Sequence, residues 1–184
     1  MSAEHIAAAL QRVEAVLLRR PEAGLHGDAP ASSRWAGGTR VVTRHDNGTE
    51  VATDMPGEFG GTGDQVSPGW LFRAGLASCA ATSIAMLAAS EGITLDLLET
   101  RVDSKTDSRG MLGMAAADGS VVAATPSDLQ LGVRIAAQGV APERLRALVE
   151  GGYGRSPVPC AVRAAVPLAL HVEVAAVERA IDSH

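Results

Sequence analysis

Apolar and polar positions alternate along the chain with two different periods, and the changes of period mark out its elements. Over residues 3–20, Ile6, Leu10, Val13 and Leu17 recur at helical spacing on one stripe, and Pro21 stops the run. Residues 21–33 hold Pro, Gly, Ala and Ser without a period and read as a linker. From Arg34 to about Thr53 the period falls to two: Trp35, Thr39, Val41 and Thr43 take alternate positions, and Asp46-Asn47-Gly48 supplies a hairpin turn. A long glycine-rich loop, MPGEFGGTGDQVSPG, follows.

Residues 68–91 break the pattern. Between Trp70 and Ser90 the only charge is Arg73, and apolar residues occupy every face. Ser67 as N-cap and Pro68 in the first turn start a helix there, and Gly92 closes it. A helix apolar all round is expected to be buried all round. Beyond it, Leu98, Thr100 and Val102 alternate as one strand, and Leu129, Leu131, Val133 and Ile135 as another. Pro142-Glu143 opens a short helix containing Leu145, Leu148 and Val149, and Ser156-Pro157 forms the N-cap and first position of a second. Val166, Leu168, Leu170, Val172 and Val174 alternate over a last predicted strand, with His171 on its outer face. The order predicts an α+β fold, a core helix packed on mostly antiparallel sheet.

A length of 184 residues suits one core. The net charge of -5, with no Lys/Arg cluster, excludes a general nucleic-acid binder. Glu4, Gln11, Arg12 and Glu14 interrupt the first apolar stretch, which therefore does not suit a signal peptide. No run approaches the roughly 18 uninterrupted apolar residues of a membrane span. Two cysteines are too few for a disulfide framework and fit a reducing compartment. A cytoplasmic protein with no membrane association is expected.

Several sources of chemistry fall away. The glycine loop lacks the Gly-Lys-Ser/Thr ending of a phosphate-binding loop, and Glu58 and Asp64 flank it with the wrong charge. The histidines are scattered without ligand spacing, so neither a metal nor another cofactor is expected. Ser78 lies within LASCA, not in a nucleophile elbow. The cysteines remain. Cys79 stands mid-helix, far from that helix's N-terminus, and Arg73 on the same helix faces elsewhere; its residue type alone allows a buried small hydrophobe or a redox thiol.

The stretch DMPGEFGGTGDQVSPGWLFRAGLASCAATSIAMLA shifts the balance toward the redox thiol. With Asp54, Pro56, Gly60-Gly61, Pro68, Leu71, Ala74 or Gly75 and Cys79 as its motif, it resembles the OsmC/Ohr family of osmotically induced and organic hydroperoxide resistance proteins. RSPVPCAV, before the last predicted strand, is similar to that family's second motif. The likeness runs from about Arg34 to Val174, so residues 1–33 read as an N-terminal helix and linker and residues 34–184 as the OsmC/Ohr-like domain. It implies an intertwined homodimer with active sites at the subunit interface, and a thiol peroxidase that reduces organic hydroperoxides in oxidative-stress defence. In that chemistry a peroxidatic thiolate becomes a sulfenic acid, a second cysteine condenses with it, and an external dithiol reduces the disulfide. An arginine from the first hairpin supports the thiolate, and a glutamate positions the arginine.

Carried over residue by residue, Cys79 matches the peroxidatic cysteine. Arg34 and Arg40 both stand in the first hairpin, and Arg40, just after Gly37-Gly38, is the preferred arginine. Gly69 occupies the place of the glutamate, and Glu58 or Asp64 is left to orient the arginine. Ser156 occupies the place of the second cysteine, and Cys160 follows four residues later. One helical turn moves Cys160 roughly 6 Å along the axis on nearly the same face. The expected catalytic set is Cys79, Cys160 and Arg40, with Trp70 and Phe72 in a substrate pocket or in the core. The departures keep a second reading open, a non-peroxidatic member that binds a small apolar ligand at the dimer interface.

Overall fold

The stripes and alternations resolve into five α-helices and five strands among residues 2–175, which this computed structural model describes. The end of the expected 34–184 domain, beyond residue 175, lies outside the described residues. Helix α1 (Ala3–Arg19) starts at Ser2, whose side chain accepts from the His5 N–H. A turn of 3-10 helix, Pro21–Gly24, ends it. Strands β1 (Ser32–Trp35), β2 (Val41–Arg44) and β3 (Glu50–Thr53) form an antiparallel meander in that order, with Trp35 opposite Val41 and Arg44 opposite Glu50.

The long helix α2 spans Pro68–Ser90, and Ser67 caps it by accepting from the Trp70 N–H at 3.2 Å. A second antiparallel pair, β4 (Leu97–Lys105) and β5 (Ser127–Ala136), carries a register shift between Asp103 and Lys105. The single-turn helix α3 (Ser108–Met111) lies in the excursion between them. Helices α4 (Pro142–Tyr153) and α5 (Pro157–Ala164) complete the described elements. The expected sheet is thus two separate antiparallel sheets.

Helix α2 is the hub, packing against α1, β4, α4 and α5. Leu76, Ala80, Ile84 and Ala88 form its buried stripe at four-residue intervals, and Leu148 of α4 packs into the same core. Gly152 brings α4 close: a Cβ there would stand 2.7 Å from the Ile84 Cα. Among the described residues α2 is the one helix long and apolar enough to cross a membrane, and here it serves as the core helix.

Two expectations are corrected. Helix α2 is not buried all round, since Trp70, Phe72 and Met86 are exposed. One chain buries Leu76, Ala80, Ile84, Ala88 and Ala89 and leaves much of the rest half-covered. Nor do residues 166–174 form a strand. Among the described residues they have no regular secondary structure and no ladder partner, and Leu168 and Val174 are 96% and 89% exposed. Alternation specifies which side chains seek burial, but a strand exists only where a neighbour completes its hydrogen bonds.

Candidate active site

Cys79 lies on α2 between the buried Leu76 and Ala80, and is itself half-buried. Helix α4 ends at Tyr153, the chain turns through Gly154 and Arg155, and Ser156 begins α5 against α2. Two donors then converge on the Cys79 sulfur. Ser156 Oγ is 3.2 Å away and the Val158 N–H donates across 3.4 Å. Among the described residues these are its polar partners.

The local sequence explains the convergence. An N-cap serine ordinarily accepts from the second or third amide of its own helix. Ser156 makes no such bond, although it is fully buried. Pro157 has no N–H, so Val158 carries the first amide of α5, and that amide points at Cys79. The sulfur therefore stands where the capping oxygen would be. Cys79 is far from the N-terminus of its own helix, α2, and lies against the N-terminus of α5. A hydroxyl and a helix-end amide aimed at one sulfur favour negative charge on it, or on an oxygen bonded to it.

Cys160 is turned elsewhere. Its N–H makes the helical bond to the Ser156 carbonyl at 2.9 Å, and its thiol donates to the Gly154 carbonyl at 3.4 Å. Both cysteines are free. The structure brings Cys79 together with Ser156, not with Cys160.

Arg40 belongs to a polar cluster at the end of the first sheet. Its guanidinium pairs with Asp64, lies 3.3 Å from Asp54 and donates to Thr62 Oγ at 2.8 Å. Asp54, 3% exposed, also accepts from Thr39 Oγ at 2.5 Å, from the Thr62 hydroxyl and amide at 2.8 and 3.1 Å, and from the Met55 N–H at 2.8 Å. The Thr39 and Thr62 donors hold the Asp54 carboxyl far below the usual carboxylate range. Thr62, then Arg40, lower Asp64, and Asp64 and Asp54 in turn raise Arg40. Asp64, not Glu58, is thus the acid that takes the arginine.

The Gly60-Gly61 pair serves this loop. Gly60 has a φ of 79°, and a Cβ on Gly61 would lie 1.8 Å from the Met55 carbonyl oxygen. Arg34 is exposed on β1. At Gly69, the place of the glutamate, a Cβ would lie 3.7 Å from Arg73 Nη1, whose guanidinium donates to Ser104 at 3.3 Å. Within one chain neither Arg40 nor Arg34 bonds to the Cys79 sulfur.

Trp70 lines a cleft of about 380 Å³ with Arg73, Thr100 and Asp103, and Phe72 is exposed, so neither is core. Beside α5, Leu76, Val102, Leu131, Tyr153, Pro159 and Val162 enclose a smaller apolar cavity of about 200 Å³, with Arg163 over the Tyr153 ring at 5.6 Å. Sequence reasoning placed Ser156 at the helix start and in the second cysteine's position, but did not foresee it or the Val158 amide as partners of Cys79. The Ser-Pro pair was the available signal.

Comparison with known proteins bears on the family and the fold. A family profile described as OsmC-like protein matches residues 61–171, which include both Cys79 and Ser156. An OsmC like protein from Mycoplasma pneumoniae superposes with a TM-score of 0.62 at 14% identity, over 76% of this chain and 89% of that one. An organic hydroperoxide resistance protein OsmC from Legionella pneumophila gives 0.55 at 21%, over 76% and 91%. An osmotic stress induced and detoxification response protein from Psychrobacter arcticus 273-4 gives 0.56 at 20%, over 74% and 90%. At these identities the likeness is one of fold. Among curated proteins none matches.

Proposed function

The chain belongs to the OsmC-like protein family, and we propose that within it the protein is a thiol peroxidase in which Cys79 reduces organic hydroperoxides. The observation that carries the reading is the pair of donors on the Cys79 sulfur, Ser156 Oγ at 3.2 Å and the Val158 N–H at 3.4 Å. The thiolate attacks the outer peroxide oxygen. An S–O bond forms, the O–O bond breaks, and the alkoxide leaves and takes a proton to become the alcohol. The donors stabilise the charge that passes from sulfur toward oxygen. The name of the Legionella relative, an organic hydroperoxide resistance protein, supports the choice of oxidant.

The rest of the site belongs to a homodimer in this proposal. Arg40 is anchored by Asp64 and Asp54 at the end of the first sheet, and it meets a Cys79 across a subunit interface. A second reading, an apolar ligand held without peroxide chemistry, draws on the 200 Å³ cavity beside α5. Mixing the protein with cumene hydroperoxide while following thiol loss separates the two. Thiol should disappear in wild type and in Cys160→Ser at similar initial rates, and Cys79→Ser should lose the fast phase. A fast phase that survives Cys79→Ser removes Cys79 from the chemistry.

A further inference from the structure

We propose that the catalytic cycle at Cys79 closes through an external low-molecular-weight monothiol, not through a second cysteine of the chain, and that Ser156 is the catalytic residue holding the oxidised sulfur for it. The inference rests on the peroxidase reading and names the class of its reductant.

Three observations carry it. The group in contact with the Cys79 sulfur is a hydroxyl, and a hydroxyl cannot condense with a sulfenic acid to a disulfide. Ser156 is fully buried and forgoes capping its own helix, so its position is set by Cys79 and not by α5. Cys160 is tied into the first turn of α5 by its amide and to Gly154 by its thiol. To reach Cys79 it must give up the Gly154 contact and unwind the turn that presents the Val158 amide. Within one chain α5 does not seal the sulfur, since Pro157 and Val158 are exposed beside the half-buried Cys79.

The steps balance without a second protein thiol. After the first step Cys79 is a sulfenic acid, with its oxygen beside the Ser156 hydroxyl and the Val158 amide. An external thiolate attacks the sulfur; the S–S bond forms, the S–O bond breaks, and hydroxide leaves as water after taking a proton. A second external thiolate attacks the outer sulfur of this mixed disulfide and releases the Cys79 thiolate. Two monothiols are oxidised to their disulfide for each hydroperoxide reduced to alcohol and water.

Intact mass after one equivalent of cumene hydroperoxide, followed by 2-mercaptoethanol, tests the proposal in wild type and in Cys160→Ser. Both should gain one oxygen in a form that dimedone traps, then exchange it for one mercaptoethanol in disulfide linkage. Ser156→Ala should slow the first oxidation about tenfold, the effect of one lost hydrogen bond to a charged group, with an unchanged thermal midpoint. Rapid loss of two hydrogens in wild type but not in Cys160→Ser overturns the monothiol route and leaves the peroxidase standing. No mass change in wild type overturns both. An undiminished rate in well-folded Ser156→Ala removes the role given to Ser156.

Discussion

Replacing Ser156 by Cys should convert the site into one that closes an internal disulfide. Ser156 Oγ lies 3.2 Å from the Cys79 sulfur, while a disulfide needs about 2.0 Å. The longer Cβ–S bond covers roughly 0.4 Å of the difference, and a modest χ1 rotation absorbs the remainder. The two positions are 77 residues apart. By chain entropy, closing that loop is worth about 4.5 kcal/mol, and engineered bridges commonly deliver about 2–4. At roughly 2–4 °C per kcal/mol for a chain of this size, the oxidised variant should melt about 5–15 °C above its reduced form. The reduced variant should be weaker than wild type by about 1 kcal/mol, since sulfur is larger than oxygen in a fully buried position. Intact mass after one equivalent of peroxide is the assay, alongside thermal unfolding with and without reductant. The variant should lose two hydrogens and yield no dimedone adduct, even when Cys160 is also replaced by Ser. If it instead retains a trappable sulfenic acid, or if its two redox forms melt together, the placement of Ser156 against Cys79 is wrong.

Gly152→Ala would put a Cβ 2.7 Å from the Ile84 Cα, against backbone that cannot swing away. Overpacking of about 2 kcal/mol, less about 1 kcal/mol gained in helix propensity, should leave a net loss near 1 kcal/mol, seen as a lower denaturant midpoint; a stabilised variant contradicts the close α2–α4 packing. Asp54 and Asp64 are both held below their ordinary values in the folded chain. Their contribution is therefore complete above the unfolded carboxylate value of about 3.9 and is lost as the pH falls through the lower folded values. Asp54→Asn should be less stable at neutral pH and lose less on acidification, and an equally steep acid transition in circular dichroism would count against the cluster. Leu168 and Leu170 are 96% and 85% exposed in one chain; wild type should scatter light as a dimer at micromolar concentration, and Leu168→Glu with Leu170→Glu should shift the mass toward monomer. A monomeric wild type would remove the homodimer.

The local signals were legible because they act within a few residues. Ser67-Pro68 and Ser156-Pro157 mark the starts of α2 and α5, where the fixed proline dihedral suits the first turn, with Ser67 capping its helix and Ser156 leaving its own uncapped. The odd-numbered alternation over residues 34–53 and the Asn47-Gly48 turn became two hairpins of one meander. Cys79 was singled out through its motif, and charge left Glu58 and Asp64 as alternatives beside an arginine, of which the structure pairs Asp64 with Arg40. What the sequence concealed are meetings between distant segments. That Ser156 faces Cys79 depends on how α5 lies across α2, a matter of packing that no spacing encodes. The sequence ruled the Gly60-Gly61 loop out as a phosphate cradle but could not say what it serves, because glycine signals close approach without naming what approaches. Here it is the Met55 carbonyl, folded around Asp54.

The two corrected expectations, the all-round burial of α2 and the last strand, have one physical origin. Helix α2 is apolar on every face, yet α1, β4, α4 and α5 fully bury only Leu76, Ala80, Ile84, Ala88 and Ala89. Residues 166–174 keep strict alternation, yet among the described residues no strand pairs with them. Hydrophobic patterning records the environment in which a segment is selected to sit, and both segments record more cover than one chain provides. Large apolar area beside an unpaired apolar segment is relieved most economically by a second copy with the same needs, since a twofold contact satisfies both partners at once. In the homodimer proposed above, the same contact would bring Arg40, held in its own chain by Asp64 and Asp54, to the Cys79 of a second copy. The uncovered faces and the separation of Arg40 from Cys79 therefore support one proposal: the Cys79–Ser156 contact is made within the chain, and the arginine is supplied by pairing.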